Sequence, residues 1–394
     1  MPRFVPCRTA HLAQELALRF RPEDRAGFWE VVRVVEDLYH HYGSTEARLV
    51  EALYAPFDPD VETVPPASAL DASVDRLHDR LGRLLTRANF ERAPTDVLLT
   101  RTDREVLARL EIDPDLDALE ELSIYTRGRG HKAVMLRPMR RLFRLEEREV
   151  PTYRRVALLV RTRREPHVSL RLFKDVPCHD LELLVPTVRV KMRLLDKLKL
   201  SGSSGAAAVS AWKLLRALYG YAPGMAKLLA VPFQALLLPV AVLITGIYGG
   251  KTLLDYAKIR ASYINALAEH LYAITMASNA PVIARLATLA GEEDTKEVLL
   301  AWAVLAQAPG PLTPEEVRQQ VEALLWDRYR ARVQFDAADA LHKLDELALC
   351  ARGPDGRLTA LPVDAALRNL DRAWDDVYAS RPRGSRRLRA LPEG

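Results

Sequence analysis

The sequence predicts an α+β protein, mostly helical, with a membrane segment in its middle. Three observations predict it. Amphipathic helical spacing fills roughly the first 118 residues, a group of short β-type runs follows between 119 and 200, and an uncharged run, Leu228 to Gly250, interrupts a chain otherwise dense in charge. An apolar content of 49% is enough for real cores, and 394 residues suggest more than one domain. The net charge of +5, from 57 basic and 52 acidic residues, is too small for this length to imply nucleic acid by itself. Three scattered cysteines, Cys7, Cys178 and Cys350, form no CxxC pair and support neither a zinc site nor a disulfide framework.

The elements follow in chain order. The start, MPRFVPCRTAHLAQELALRF, lacks the apolar core of a signal peptide; it reads as a first helix over Thr9 to Phe20, with a basic mitochondrial transit segment as the alternative. Pro22-Glu23-Asp24 opens a helix carrying Phe28, Trp29, Val32, Val35, Leu38 and Tyr39 at helical spacing; Gly43 is read as its end and Ser44 to Glu46 as the start of another reaching Tyr54. Three prolines make Phe57 to Ala67 a loop, and Leu70 to Asn89 is again amphipathic. Ser123-Ile124-Tyr125, Ala133 to Leu136, Val156 to Val160 and the alternating HVSLRLF from His167 to Phe173 read as strands of a small antiparallel sheet packed by the N-terminal helices.

A basic stretch, VRVKMRLLDKLKL, then leads into the flexible SGSSG at 201–205. Its Arg189, Lys191, Arg193, Lys197 and Lys199, with Lys251 beyond, are the candidate contacts for anionic lipid headgroups. Between them the residues expected in the bilayer are Leu228, Leu229, Val231, Phe233, Leu236, Leu237, Leu238, Val240, Val242, Leu243, Ile244 and Ile247. A helix from 228 to 250 would span about 34 Å, enough for a hydrocarbon core of about 30 Å. Cations on both flanks favour a hairpin over a single pass.

Lys251 to Met276 reads as a helix, and Glu292 to Leu305 as another whose first turn is acidic, as the helix dipole prefers. Thr313-Pro314-Glu315-Glu316 is a capping box with Pro at the first helical position. A helix from Ala337 to Leu349 follows, then strand, Gly-Pro-Asp-Gly turn and strand, then a helix capped by Asp364. Helix, helix, hairpin, helix suggests a winged-helix-like unit, but its second helix carries Asp339, His342, Lys343, Asp345 and Glu346, an acidic set that repels phosphate. The expected organisation is therefore an N-terminal helical region (1–118), a small-sheet region (119–200), membrane segment(s) (201–250), a helical region (251–308), a winged-helix-like domain (309–380) and a basic tail (381–394).

The run YRRVALLVR, then LRLFKDVPCHDLELLVPTVRVKM, the apolar segment, EEDTKEVLLAWAVL and FDAADALHKLDELAL together resemble the uncharacterised membrane proteins similar to transmembrane protein 143 (domain of unknown function 3754). Phe173-Lys174-Asp175-Val176-Pro177 and Leu183 to Pro186 carry the resemblance most specifically. It implies a membrane-associated protein, with bacterial members and mitochondrial or plastid relatives; the expected location is the bacterial inner membrane, where the basic flanks put both soluble domains in the cytoplasm, or alternatively a mitochondrial membrane. It supplies no catalytic residues. None is found independently: Gly249-Gly250-Lys251-Thr252 lacks the first glycine of a phosphate loop, His40-His41 has no spaced partner ligand, and Cys178-His179 are chain neighbours. No cofactor or metal is expected. The function class expected is a membrane-anchored scaffold or adaptor that holds two soluble domains at one membrane face, with an unknown protein partner. A lipid-binding protein or membrane-linked enzyme, with a site near Asp175, His179 or Arg189, and a tethered DNA-binding protein are the alternatives.

Overall fold

The computed structural model describes residues 3–60, 74–94, 111–136 apart from 115, 146–163, 167–178, seven positions between 181 and 191, four between 261 and 269, and 271–379. Its helices are α1 (Thr9–Ala17), α2 (Arg25–Tyr54), α3 (Val74–Arg87), α4 (Ala280–Gln307), α5 (Pro314–Tyr329), α6 (Ala337–Glu346) and α7 (Val363–Ala379). Its strands are β1 (Glu91–Arg92), β2 (Glu111–Pro114), β3 (Leu119–Leu136), β4 (Glu146–Thr162), β5 (Val168–Pro177), β6 (Val188–Lys191), β7 (Thr275–Ser278), β8 (Cys350–Arg352) and β9 (Leu358–Ala360).

The expected antiparallel sheet is present and longer than the sequence suggests. Five strands run in the order β1-β3-β4-β5-β7, all pairs antiparallel. The separate β-type runs 123–125 and 133–136 belong to one strand, β3. Alternation decides what each face of β4 and β5 meets. Ala157, Leu159, Leu170 and Leu172 turn to one side, against α3, the C-terminal half of α2 and the first half of α4. Val156, Leu158, Val160 and Phe173 turn to the other, with Leu181, Leu184 and Val185. A further core joins α1, the first half of α2, the second half of α4 and α5 to α7, around Trp302 stacked with Phe20 and Phe28.

Two helices organise both helical cores. The glycine read as a stop, Gly43, lies inside one continuous helix α2. It is glycine because α4 crosses there: a Cβ on Gly43 would stand 3.1 Å from the Ala287 carbonyl oxygen, and one on Gly291 would stand 3.1 Å from that of Tyr39. Helix α4 begins at Ala280, not Glu292, so the acids expected to sit at its dipole lie in its middle. Residues 275 and 276, expected to end the helix that starts at Lys251, belong instead to edge strand β7.

The C-terminal succession of elements is as read, including the Thr313–Glu316 capping box; the last helix, however, starts at Val363, which puts Asp364 inside its first turn rather than at its cap. Beyond that succession, the described residues add no support to the winged-helix description. In α6, Ala337, Ala340, Leu341, Lys343 and Leu344 are buried, so Lys343, the one lysine of the polar set read from the sequence, is turned in.

The membrane element of the expected fold is also corrected. No helix among the described residues is long and apolar enough to cross a membrane. Helix α4, at 28 residues the longest apolar candidate, carries Glu292, Glu293, Asp294, Lys296 and Glu297 in its centre, and α2 is amphipathic. The run Leu228 to Gly250 and its expected bilayer residues lie outside the described residues, as do Arg193, Lys197, Lys199 and Lys251.

Candidate functional site

The middle turn of α4, Gly291 to Glu297, is the most unusual feature of the molecule. Glu293 and Asp294 are fully buried, and Lys296 and Glu297 nearly so. Unpaired charges cannot be buried at tolerable cost, so each needs a partner delivered from elsewhere in the chain. Four different elements deliver them.

On one side of the helix, Glu293 accepts from Arg127 Nη2 on β3 at 2.6 Å and from Lys296 Nζ one turn on. Its other oxygen accepts from the Val5 N–H at 3.0 Å and from Asn89 Nδ2 at 3.4 Å. Lys296 completes its donors on the main-chain oxygens of Val5 and Cys7. On the other side, Asp294 accepts from Arg87 Nη2 at 2.6 Å, and Lys343 Nζ lies 2.6 Å from its second oxygen. The same Lys343 ammonium is 2.5 Å from Glu297 and 2.5 Å from Asp339. Asn89 bridges the two halves, donating also to Glu297 at 3.1 Å. It can do so because it ends α3 at φ +58, a left-handed conformation asparagine tolerates. Four cations (Arg87, Arg127, Lys296, Lys343) thus face four carboxylates (Glu293, Asp294, Glu297, Asp339).

The electrostatics follow from depth. Burial pushes the Glu297 carboxyl up to about 7, against the opposing pull of Lys343 and Asn89. Burial works against the charge on Lys343, but Glu297, Asp294 and Asp339 outweigh it and hold its pKa above the ordinary lysine value. For Arg127 burial prevails and the pKa falls; for Arg87, which is more exposed, Asp294 prevails and it rises. Asp294, Glu297 and Asp339 place one carboxylate oxygen each within 4.8 Å of one another, a spacing that could hold a metal ion. Lys343 already supplies the positive charge at that point.

Two surface cavities lie near this hub. One, about 550 Å³, runs between α2 and α4 past His40, Ser44, Glu51, Thr288 and Glu292. The other, about 410 Å³, is lined by Arg3, Pro314, Glu315, Arg318 and residues 334–338. Neither is lined by Glu293, Asp294, Lys296 or Glu297.

The residues singled out from sequence lie elsewhere. Asp175 sits in β5 at φ +51 with its carboxylate 3.5 Å from Lys132, and both are well exposed. His179 lies outside the described residues. Arg189 and Lys191 are on β6, where the antiparallel register sets them opposite Asp113 and Glu111. On α6, Asp339, His342, Asp345 and Glu346 are exposed, while the hairpin arginines are engaged: Arg352 with Asp345, Arg357 with Glu316 and Asp355. The hub itself was missed because its members, from Val5 to Lys343, are spread over the whole chain. The one local signal was the charge density of GEEDTKE inside an otherwise apolar helix.

Fold and site together define an α+β protein built around a buried ion-pair hub on one central helix. Residues 132–281 match the family described as Protein of unknown function (DUF3754), which is less than half of the chain. The chain therefore carries a DUF3754 domain, and the hub residues fall outside the matched segment. No solved structure matches the chain.

Proposed function

We propose that the protein is a scaffold or adaptor, with no catalysis at the hub. One observation carries this reading: among the described residues, the fully or almost fully buried charged side chains of α4 are consumed by ion pairs and hydrogen bonds. Glu293, Asp294, Lys296 and Glu297 are paired with Arg87, Arg127, Lys343 and main-chain atoms, and line neither cavity. A catalytic group has to reach a substrate, which these cannot do without dismantling the fold. Buried ion pairs contribute little net stability compared with apolar packing, but they penalise every arrangement that leaves one charge alone. A hub of this kind fixes how the sheet and the C-terminal helices sit relative to one another. That is a property a scaffold needs.

The DNA-binding alternative gains nothing from the acidic exposed face of α6. Native mass spectrometry of the full chain purified from its source tests the scaffold reading. A protein partner at fixed stoichiometry, with no bound small molecule, is the expected result. A co-purifying metabolite, displaced by substitutions in the α2–α4 cavity such as Ser44→Trp, overturns it.

A further inference from the structure

The segment before α1 is held in a distinctive way. Phe4 to Cys7 forms neither helix nor strand, yet Val5 is 1% exposed. Helix α4 grips it through its main chain. The Val5 N–H donates to Glu293 at 3.0 Å, and Lys296 Nζ donates to the carbonyl oxygens of Val5 at 3.0 Å and Cys7 at 3.3 Å. The Phe4 ring packs under the Arg127 guanidinium, 4.9 Å away, with Arg154 at 5.9 Å. Gly128, at φ +67, leaves room for that ring: a Cβ there would stand 2.5 Å from it. Main-chain hydrogen bonds for affinity, an aromatic slot and an apolar hole for selectivity are the elements by which proteins bind extended peptides.

We propose that this cradle is a peptide site, filled in cis by Phe4–Cys7 and able to take the same segment from a second copy of the chain. Each contact made by the resident segment is available to the incoming one. The balance is therefore set by protein concentration against the effective concentration of the tether. The hinge is in place. Arg8, the N-cap of α1, is extended at φ −76 and ψ 145 with no side-chain capping bond, so swinging the segment out breaks no cap. Helix α1 stays anchored by Leu12, Ala13 and Leu16. The inference extends the scaffold reading by naming one partner, a second copy. The scaffold reading survives its failure, because the test below reads self-exchange alone.

A fluorescent peptide of residues 1–8 is titrated against the full chain and against full-length Val5→Asp, whose own segment no longer fits the apolar hole. In parallel, two differently tagged full-length preparations are mixed at high concentration, separated by affinity and sized by light scattering. The peptide should bind Val5→Asp at least roughly ten-fold more tightly than the wild type, whose site is blocked in cis. A peptide carrying the same Val5→Asp change should not bind. The two wild-type tags should co-purify as a dimer, and two Val5→Asp preparations should not. If Val5→Asp fails to fold by circular dichroism, Phe4→Ala replaces it with the same expectations. Equal peptide binding to both chains, or none to a folded variant, overturns the site. A wild type that stays monomeric without tag exchange overturns the second copy as its occupant.

Discussion

Lys343 is a single side chain standing in for a cation. Its ammonium lies within 2.6 Å of three carboxylates, Asp294, Glu297 and Asp339, whose oxygens are close enough together to share a metal ion. Lys343→Ala would leave Asp294 and Glu297 buried without that partner. Removing one member of a buried pair costs about 3 to 5 kcal/mol. Urea unfolding should show that loss, and millimolar calcium or manganese should recover part of it in the variant but not in the wild type. A variant as stable as the wild type, or indifferent to divalent cations, would show that Lys343 is not what balances the cage. Glu297 makes a separate prediction. Its folded-state pKa, about 7, lies above the ordinary 4.5, so the native state holds this proton more tightly than the unfolded one. Its contribution is therefore fully present below pH 4.5 and is lost as pH rises through 7. The difference between wild type and Glu297→Gln, measured by denaturation across that window, should change by on the order of 3 kcal/mol. A flat difference would contradict the burial argument.

At the scale of elements, the contact between α2 and α4 rests on two glycines. Alanine normally improves an exposed helical position by about 1 kcal/mol. At Gly43 and Gly291 the added methyl meets a backbone carbonyl of the opposing helix at 3.1 Å, and backbone cannot rotate away. Gly43→Ala and Gly291→Ala should each destabilise by about 1 to 3 kcal/mol, the overpacking range. Gly82→Ala on α3 is the control: its nearest neighbour is the Tyr125 hydroxyl at 3.8 Å, so it should stabilise by roughly 0.5 to 1 kcal/mol. Thermal melts of the three variants check the sign, and a gain at Gly43 would mean the helices can move apart. The same glycines explain what was legible in the sequence. Local rules found the capping box at Thr313, the β8–β9 hairpin and the strands 156–160 and 167–173, because turn chemistry and alternation are complete within a few residues. Gly43 was misread because a local rule takes glycine as a stop, whereas its reason is Ala287, far along the chain. The acids of α4 were misread likewise. Nothing near Glu293 in sequence announces Arg127 or Val5, and nothing near Glu297 announces Lys343.

At the scale of the whole molecule, the question is whether the parts can unfold separately. Reading along the chain suggests independent regions, with a C-terminal unit beginning near residue 309. The packing argues for joint behaviour. Helices α2 and α4 each contribute one half to the core around Trp302 and the other half to the core over the sheet, and the hub ties both to β3 and to the segment before α1. Releasing α5 to α7 would strip Lys343 from Asp294 and Glu297, while releasing the sheet would strip Arg127 from Glu293. Either step leaves buried carboxylates with a missing partner, which makes partial opening nearly as costly as complete unfolding. Urea denaturation followed by far-ultraviolet circular dichroism and by tryptophan fluorescence should therefore give coincident transitions. Native-state hydrogen exchange should give the slowest amides of α4, β4 and α6 one common opening free energy. Two transitions, with the amides of α6 exchanging well before those of β4, would instead make the C-terminal helices a separate unit. The hub would then be a contact between domains, not the centre of one.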